Sequence, residues 1–232
     1  MWGVEGIGEI RPGDQLGDIV VAACAPGTDN ELFDGDVLVV TQKVVSKAEN
    51  RMVQIDRTNP LSHKKLVEDE AVRIVRRRGD LIITETTHGF VCANSGVDLS
   101  NVEAGWAALL PIDSDRSARR IRDIVKARLG VDVGIIVSDT FGRPWRKGLT
   151  DVAIGVAGIA GVLDLRGTED ALGRTMQVTE VAVADEIASA AEMVMGKSSG
   201  IPVAIVRGID PQWLRPSSMA ELVRNPQEDL FR

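Results

Sequence analysis

Two aspartates on glycine-flanked polar turns are the groups in this chain best suited to grip a hard cation. Asp98 lies in Ala93-Asn94-Ser95-Gly96-Val97-Asp98-Leu99-Ser100-Asn101-Val102, and Asp139 follows the apolar run Val133 to Val137 in Ser138-Asp139-Thr140-Phe141-Gly142-Arg143. Magnesium and manganese favour carboxylate oxygen, often from only one or two protein groups, with water or substrate phosphate filling the remaining positions. A residue at the carboxyl end of a buried strand is rigidly held yet open to a crevice, which suits Asp139 and the Thr140 hydroxyl to a shared metal site. The same residue types also form Asx-turns and helix caps, a second reading open to Asp98, Ser100 and Asp139. Arg143, Arg146 and Lys147 follow, either to neutralise phosphate or carboxylate or simply to meet water.

Phosphate-binding chemistry has one further candidate. Thr41-Gln42-Lys43-Val44-Val45-Ser46-Lys47-Ala48-Glu49 groups hydroxyl, amide and ammonium functions just past an apolar run. A lysine there supplies a point charge to phosphoryl oxygens while backbone N–H groups complete the cradle; alternatively Lys43 and Lys47 are solvated surface lysines. Gly196-Lys197-Ser198 ends like a P-loop, but Ala191 stands where that motif requires glycine, so Gly196 reads as a helix C-cap followed by a solvated Lys197. Gly155, Gly158 and Gly161 are spaced for close backbone packing and lack the Gly-x-Gly-x-x-Gly order of a dinucleotide site. Two carboxylates together favour a divalent ion bridging nucleotide phosphates, with lysine or arginine stabilising the charge that remains. Spacing does not name the acceptor.

Positioning these groups requires a mixed α/β scaffold. β-Branched apolar runs predict strands at Val37 to Thr41, Leu81 to Glu85, Val133 to Ser138, Met176 to Val181 and Val203 to Arg207. Apolar residues at three- and four-residue spacing predict helices at Leu61 to Arg78, Ser114 to Leu129 and Val183 to Met195. No long low-complexity linker divides the 232 residues, which read as a single catalytic unit or two intimately packed lobes. A net charge of -7 provides no broad basic surface for nucleic acid, and the chain has no Tyr for stacking on single strands. The two cysteines, Cys24 and Cys92, and the two histidines, His63 and His88, make no zinc or disulfide pattern. Without a signal segment or an apolar span of membrane length, a cytoplasmic protein with no membrane partner is expected.

Several segments, taken in order, resemble the F420-0:gamma-glutamyl ligase family: Val4-Glu5-Gly6-Ile7, Val44-Val45-Ser46-Lys47-Ala48-Glu49, Gly96-Val97-Asp98-Leu99-Ser100-Asn101-Val102 and Ser138-Asp139-Thr140-Phe141-Gly142-Arg143. Thr179 to Ala188 and Ile201 to Gly208 extend the likeness, which covers Val4 to Gly208. The resemblance implies a family-specific mixed α/β fold, a homodimer, and a GTP-dependent ligase joining L-glutamate to F420-0 and then adding a second, gamma-linked glutamate. Magnesium or manganese, two per site, with potassium, are the ions it implies. Carried over residue by residue, it puts Asp98 and Asp139 on one divalent ion, Thr140 on another, and Gln42 and Lys47 at the nucleotide, with Lys47, Asp98 and Asp139 as catalytic groups. Ile7, Gly8, Glu9 and Ile10 would line the nucleotide groove, Asn101 and Glu103 would approach the phosphates, and Arg207 with Gly208 would help close the site. Departures fall at Asn50, where many relatives carry Gly, and at Gln42, where a small hydroxyl residue is common. The chain ends at Arg232 without the reductase-like domain fused to some actinobacterial relatives, so a stand-alone ligase adding one or two glutamates is expected.

The implied route has metal-bound GTP phosphorylate the precursor's carboxylate, after which the glutamate amine attacks the acyl phosphate. No protein nucleophile is required, in keeping with the lack of a Ser-His-Asp or Cys-His set. Rival readings are an amide ligase of the same fold on another carboxylate, a deazaflavin-binding protein that has lost ligation, and a structural dimerisation module; Asp98, Asp139, Thr140 and Lys47 argue against the second, and the polar turns after buried strands against the third.

Overall fold

A computed structural model describes residues 1–59 and 61–230 of the chain; Pro60, Phe231 and Arg232 lie outside it. In chain order the elements are β1 (Trp2–Gly3), α1 (Leu16–Ala23), β2 (Val37–Thr41), α2 (Gln42–Ala48), β3 (Met52–Gln54) and α3 (Lys64–Asp69). Next come β4 (Ala71–Arg78), β5 (Leu81–Thr86), β6 (Val91–Ala93), β7 (Trp106–Ala108), α4 (Ser114–Leu129) and β8 (Gly134–Gly142). The remainder are β9 (Leu149–Ala157), β10 (Leu163–Asp164), β11 (Glu180–Val181), α5 (Val183–Met195) and β12 (Val203–Val206). The mixed α/β expectation holds.

The central sheet runs β1-β12-β2-β8-β9. β2 and β8 are parallel, with Thr41 opposite Ser138, while β12 and β9 flank them antiparallel. Alternation along these strands sends Leu38, Val40, Ile135 and Val137 to one face, against Val20 of α1 and Ile121 and Val125 of α4. Val37, Val39 and Ile136 go to the other, against Ile187, Ala188 and Ala191 of α5. Both faces are covered, so β2 and the start of β8 are apolar throughout; polar residues begin only where β8 leaves the helices, at Ser138.

Close approach of α4 to the sheet depends on Gly155, where a Cβ would fall 2.5 Å from the Ser114 carbonyl. The packing role expected for the glycine series therefore holds. It coincides with a β-bulge: Val137 pairs with Gly155, but Ser138 pairs with Ala153, leaving Ile154 as the extra residue. The bulge sets the register beyond it and places Thr140 directly opposite Asp151. α4 itself matches the predicted Ser114 to Leu129 because its ends are marked: the Asp113 carboxylate accepts from the Arg116 N–H at 2.8 Å, and Gly130 closes the helix at φ 78°.

Two predicted elements are corrected. The expected helix over Leu61 to Arg78 is helical only at α3, and Ala71–Arg78 is a strand paired with β5. Its Val72, Ile74 and Val75 are β-branched and exposed, with register breaks between Ala71/Arg73 and Ile74/Arg76, so the apparent helical spacing arises from a distorted strand without a buried face. The strand expected over Met176 to Val181 is reduced to β11, and single bonds such as Gly167 N–H to Met176 O and Leu165 N–H to Thr179 O take up the rest.

Candidate functional site

Parallel β2 and β8 end side by side, and the chain leaving each carries the polar groups. Thr41 passes directly into α2, which carries Lys43. The Lys43 ammonium pairs with Asp98 at 2.6 Å and donates to the Ser100 carbonyl and hydroxyl at 2.5 and 2.9 Å. It is thus not a solvated lysine. Asp98 also accepts from the Ser100 N–H at 2.7 Å, so the Asx-turn reading and the charged-site reading are both satisfied by one carboxylate. Burial works to raise its pKa, but hydrogen bonds from Lys43 and Ser100 prevail and hold it below the ordinary aspartate value. The loop bearing it is constrained by positive φ at Asn94, Ser95 and Asn101, with Ser95 buried and bonded to Val67 O and Thr84.

Asp139, at the end of β8, is a carboxylate without an ion-pair partner. No salt bridge closes on it among the described residues. Burial pushes its pKa up to about 7; the Thr140 N–H opposes this, the charges of Asp98 and Asp151 reinforce it, and Lys43 counters them. The same negative charge, after burial, helps push the buried Cys92 thiol up to about 12. Asp98, Asp139 and Lys43 therefore form one electrostatic group.

Alternation turns the next residue to the opposite face of the strand, toward α5. There the Thr140 hydroxyl donates to Asp151 Oδ1 at 2.7 Å, and Lys197 Nζ contacts Thr140 Oγ1 and Asp151 Oδ1, both at 2.6 Å, and Glu192 at 3.0 Å. Burial disfavours charge on Lys197, yet hydrogen bonds to Asp151 and Glu192 outweigh it and raise its pKa. Gly196 does cap α5, as expected, and Lys197 does meet water, its side chain 56% exposed, while also carrying these ion pairs. A φ of 63° at Gly196 turns the chain back over the end of β9, and Asn101 Nδ2 donates to the Lys197 carbonyl at 3.2 Å.

A model of the family described as F420-0:gamma-glutamyl ligase matches residues 6–208. The chain belongs to that family. It is 41% identical to the coenzyme F420:L-glutamate ligase of Methanopyrus kandleri, over 97% of this chain and 94% of the relative. Identity to the protein of that name from Methanothermobacter thermautotrophicus is 39%, over 99% and 97%, and to that from Methanocaldococcus jannaschii 42%, over 86% and 85%. Membership of the gamma-glutamyl ligase family makes the chain a ligase that forms carbon–nitrogen bonds. No helix among the described residues is long and apolar enough to cross a membrane.

Within this gamma-glutamyl ligase, the remaining residues singled out from sequence divide into two groups. Lys47, on the same helix as Lys43, pairs with Glu9 at 2.5 Å, and Gly13 N–H bonds to Ala48 O, so the Ile7, Gly8, Glu9, Ile10 segment lies along α2. Ile7 and Ile10 turn inward, leaving Gly8 and Glu9 exposed. Asn101 and Glu103 are exposed on the Asp98 loop. Gln42, by contrast, is only 1% exposed and donates to Ser46 Oγ and Leu109 O, with its Oε1 left unpartnered, so its side chain faces inward. Arg207 and Gly208 lie apart from the Asp98 and Asp139 group. β12 is antiparallel to β2, with Val203 opposite Val40 and Val206 opposite Val37, so Arg207 leaves the sheet at the end opposite Asp139. It forks onto Asp36 at 2.7 Å and lies over Trp2 and Phe33. Asp151, which the sequence did not single out, and Lys197, which it offered only as a solvated lysine, are the groups brought to Thr140.

Among the described residues, no three His, Cys, Asp or Glu side chains are gathered as a metal cage. Magnesium or manganese in phosphoryl chemistry needs no such cage, because substrate phosphates and water supply most of the ligands. The uncompensated Asp139 beside Asp98 fits that kind of ion. Thr140, whose hydroxyl already contacts an ammonium, does not fit a second.

Proposed function

We propose that this ligase uses GTP to join the alpha-amine of L-glutamate to the terminal carboxylate of F420-0, and then adds a second glutamate through the gamma-carboxylate of the first. The reading is supported most directly by Asp139, a half-buried carboxylate without an ion-pair partner, set at a strand end beside Asp98 and Lys43 in a chain of this family. Asp98 and Asp139 would hold one magnesium or manganese ion, which neutralises phosphate charge during transfer. Lys43 and Lys47 extend from one face of the short helix leaving β2 and would steer the phosphates, with the Ile7 to Ile10 segment beside them.

In the proposed chemistry, a carboxylate oxygen of the precursor attacks the γ-phosphorus and GDP leaves. The glutamate nitrogen next attacks the acyl carbon, loses a proton, and expels phosphate carrying the original carboxylate oxygen. Incubation with F420-0, glutamate, GTP and manganese should give products heavier by one and two glutamyl units in the mass spectrum, and a chelator should abolish them. Product with ATP alone would change only the nucleotide; no product with either would sink the proposal. With oxygen-labelled precursor carboxylate, the label should appear in phosphate, and its full retention in the amide would exclude this route.

A homodimer is proposed on separate grounds. Edge strand β4 leaves Val72, Ile74 and Val75 at 65%, 43% and 40% exposure, an apolar edge that a second copy would cover. Sedimentation should report twice the 24.9 kDa chain mass, and Val72→Glu should shift it toward the monomer. A wild-type chain sedimenting as a monomer at micromolar concentration would rule this out.

A further inference from the structure

We propose that the ammonium of Lys197 is a built-in cation occupying the position that a second divalent ion would need, so that this ligase works with one metal ion per chain. The inference rests on the metal and nucleotide reading of Asp98 and Asp139 given above. An ammonium has three N–H donors and no acceptor. All three at Lys197 are matched by oxygens: Thr140 Oγ1 and Asp151 Oδ1 at 2.6 Å and Glu192 Oε1 at 3.0 Å. Thr140 gives its own proton to Asp151 Oδ1 at 2.7 Å, so the lone pairs it has left are those facing the lysine. A divalent ion on Thr140 would take those same lone pairs, and at its shorter bond length would be forced against a like charge.

The charges divide in the same way. On the face of β8 toward α5, Asp151 and Glu192 are already served by Lys197; Asp151 is 5% exposed, so leaving it without a cation would be costly. On the opposite face, Lys43 serves Asp98 and leaves Asp139 open. One carboxylate group thus remains for an external ion, and the other carries its cation on the chain. The backbone that carries Lys197 is also set in place: Gly196 turns the chain at φ 63°, and Asn101, from the Asp98 loop, donates to the Lys197 carbonyl at 3.2 Å. A lysine cation cannot be removed by chelators or exchanged between metals, which makes this half of the site independent of metal supply.

The test is a count of bound Mn2+ by electron paramagnetic resonance, titrating the full chain in the presence of saturating GDP. Wild type should bind one Mn2+ per chain. Lys197→Gln, similar in length but neutral and carrying an oxygen, should bind two, with circular dichroism confirming that it is folded. Two ions on wild type would show the lysine displaced and overturn the inference while leaving the nucleotide–metal reading intact. One ion on both proteins would overturn it as well, because the lysine would not be what excludes the second. No binding by wild type would remove the metal reading and this inference with it. Should Lys197→Gln fail to fold, Lys197→Ala, which removes the same ammonium, is counted in its place with the same two outcomes.

Discussion

Asp139→Asn should reduce turnover by about a thousandfold, roughly 4 kcal/mol of barrier, and at the same time make the metal-free protein melt higher above neutral pH. The two effects share one cause. Burial and the neighbouring charges of Asp98 and Asp151 raise the Asp139 pKa from 3.8 to about 7. A group that holds its proton more tightly in the folded state stabilises that state below its unfolded pKa, and this contribution is lost as pH rises toward the folded value. Metal-free wild type should therefore lose stability between about pH 4 and pH 7 at this position, and the asparagine variant should not. Melting temperatures in chelator at pH 5 and pH 8 provide the measurement, with a smaller drop expected for the variant. In assays with metal and nucleotide the order reverses, because the anionic carboxylate is what an ion would bind. Near-normal turnover, or a variant that simply melts lower at every pH as expected for a lost cap, would defeat the assignment.

Arg207→Ala should do the opposite: lower the melting temperature by roughly 5–10 °C while changing kcat and the KM for nucleotide by less than about twofold. Asp36 is 1% exposed and takes both guanidinium bonds at 2.7 Å; without them its carboxylate keeps, among the described residues, the Phe33 N–H at 2.9 Å. A buried charge deprived of its partner is costly, and here the Trp2 and Phe33 faces under the guanidinium are also uncovered. The pair joins β12 to the start of β2, at the end of the sheet away from Asp139, so chemistry should be spared. A large rise in KM with unchanged melting would return Arg207 to the nucleotide.

Local signals in the chain were sufficient for the elements that carry clear ends or full burial. α4 could be read residue for residue because Asp113 and Gly130 mark its boundaries, and β2 because five consecutive apolar or β-branched residues allow nothing else in so short a run. β4 could not, since its apolar residues face outward and bulges erase their period. The carboxylates at Asp98 and Asp139 were likewise legible, each being a polar residue on a turn with glycine close by, and the order of motifs gave the family.

Strand direction and register belong to tertiary structure alone. Arg207 and Lys197 flank the same four-residue strand, with a short turn before it, and only the antiparallel setting of β12 decides that Lys197 reaches the site and Arg207 leaves it. Asp151 sits in an ordinary β-branched run, and nothing near it in sequence announces a role; the bulge at Ile154 is what brings it opposite Thr140. Residue types and spacing thus determined which groups carry charge and where turns must fall, because those depend on neighbours a few positions away. Which charges meet was decided by long-range pairing, whose geometry no local stretch encodes.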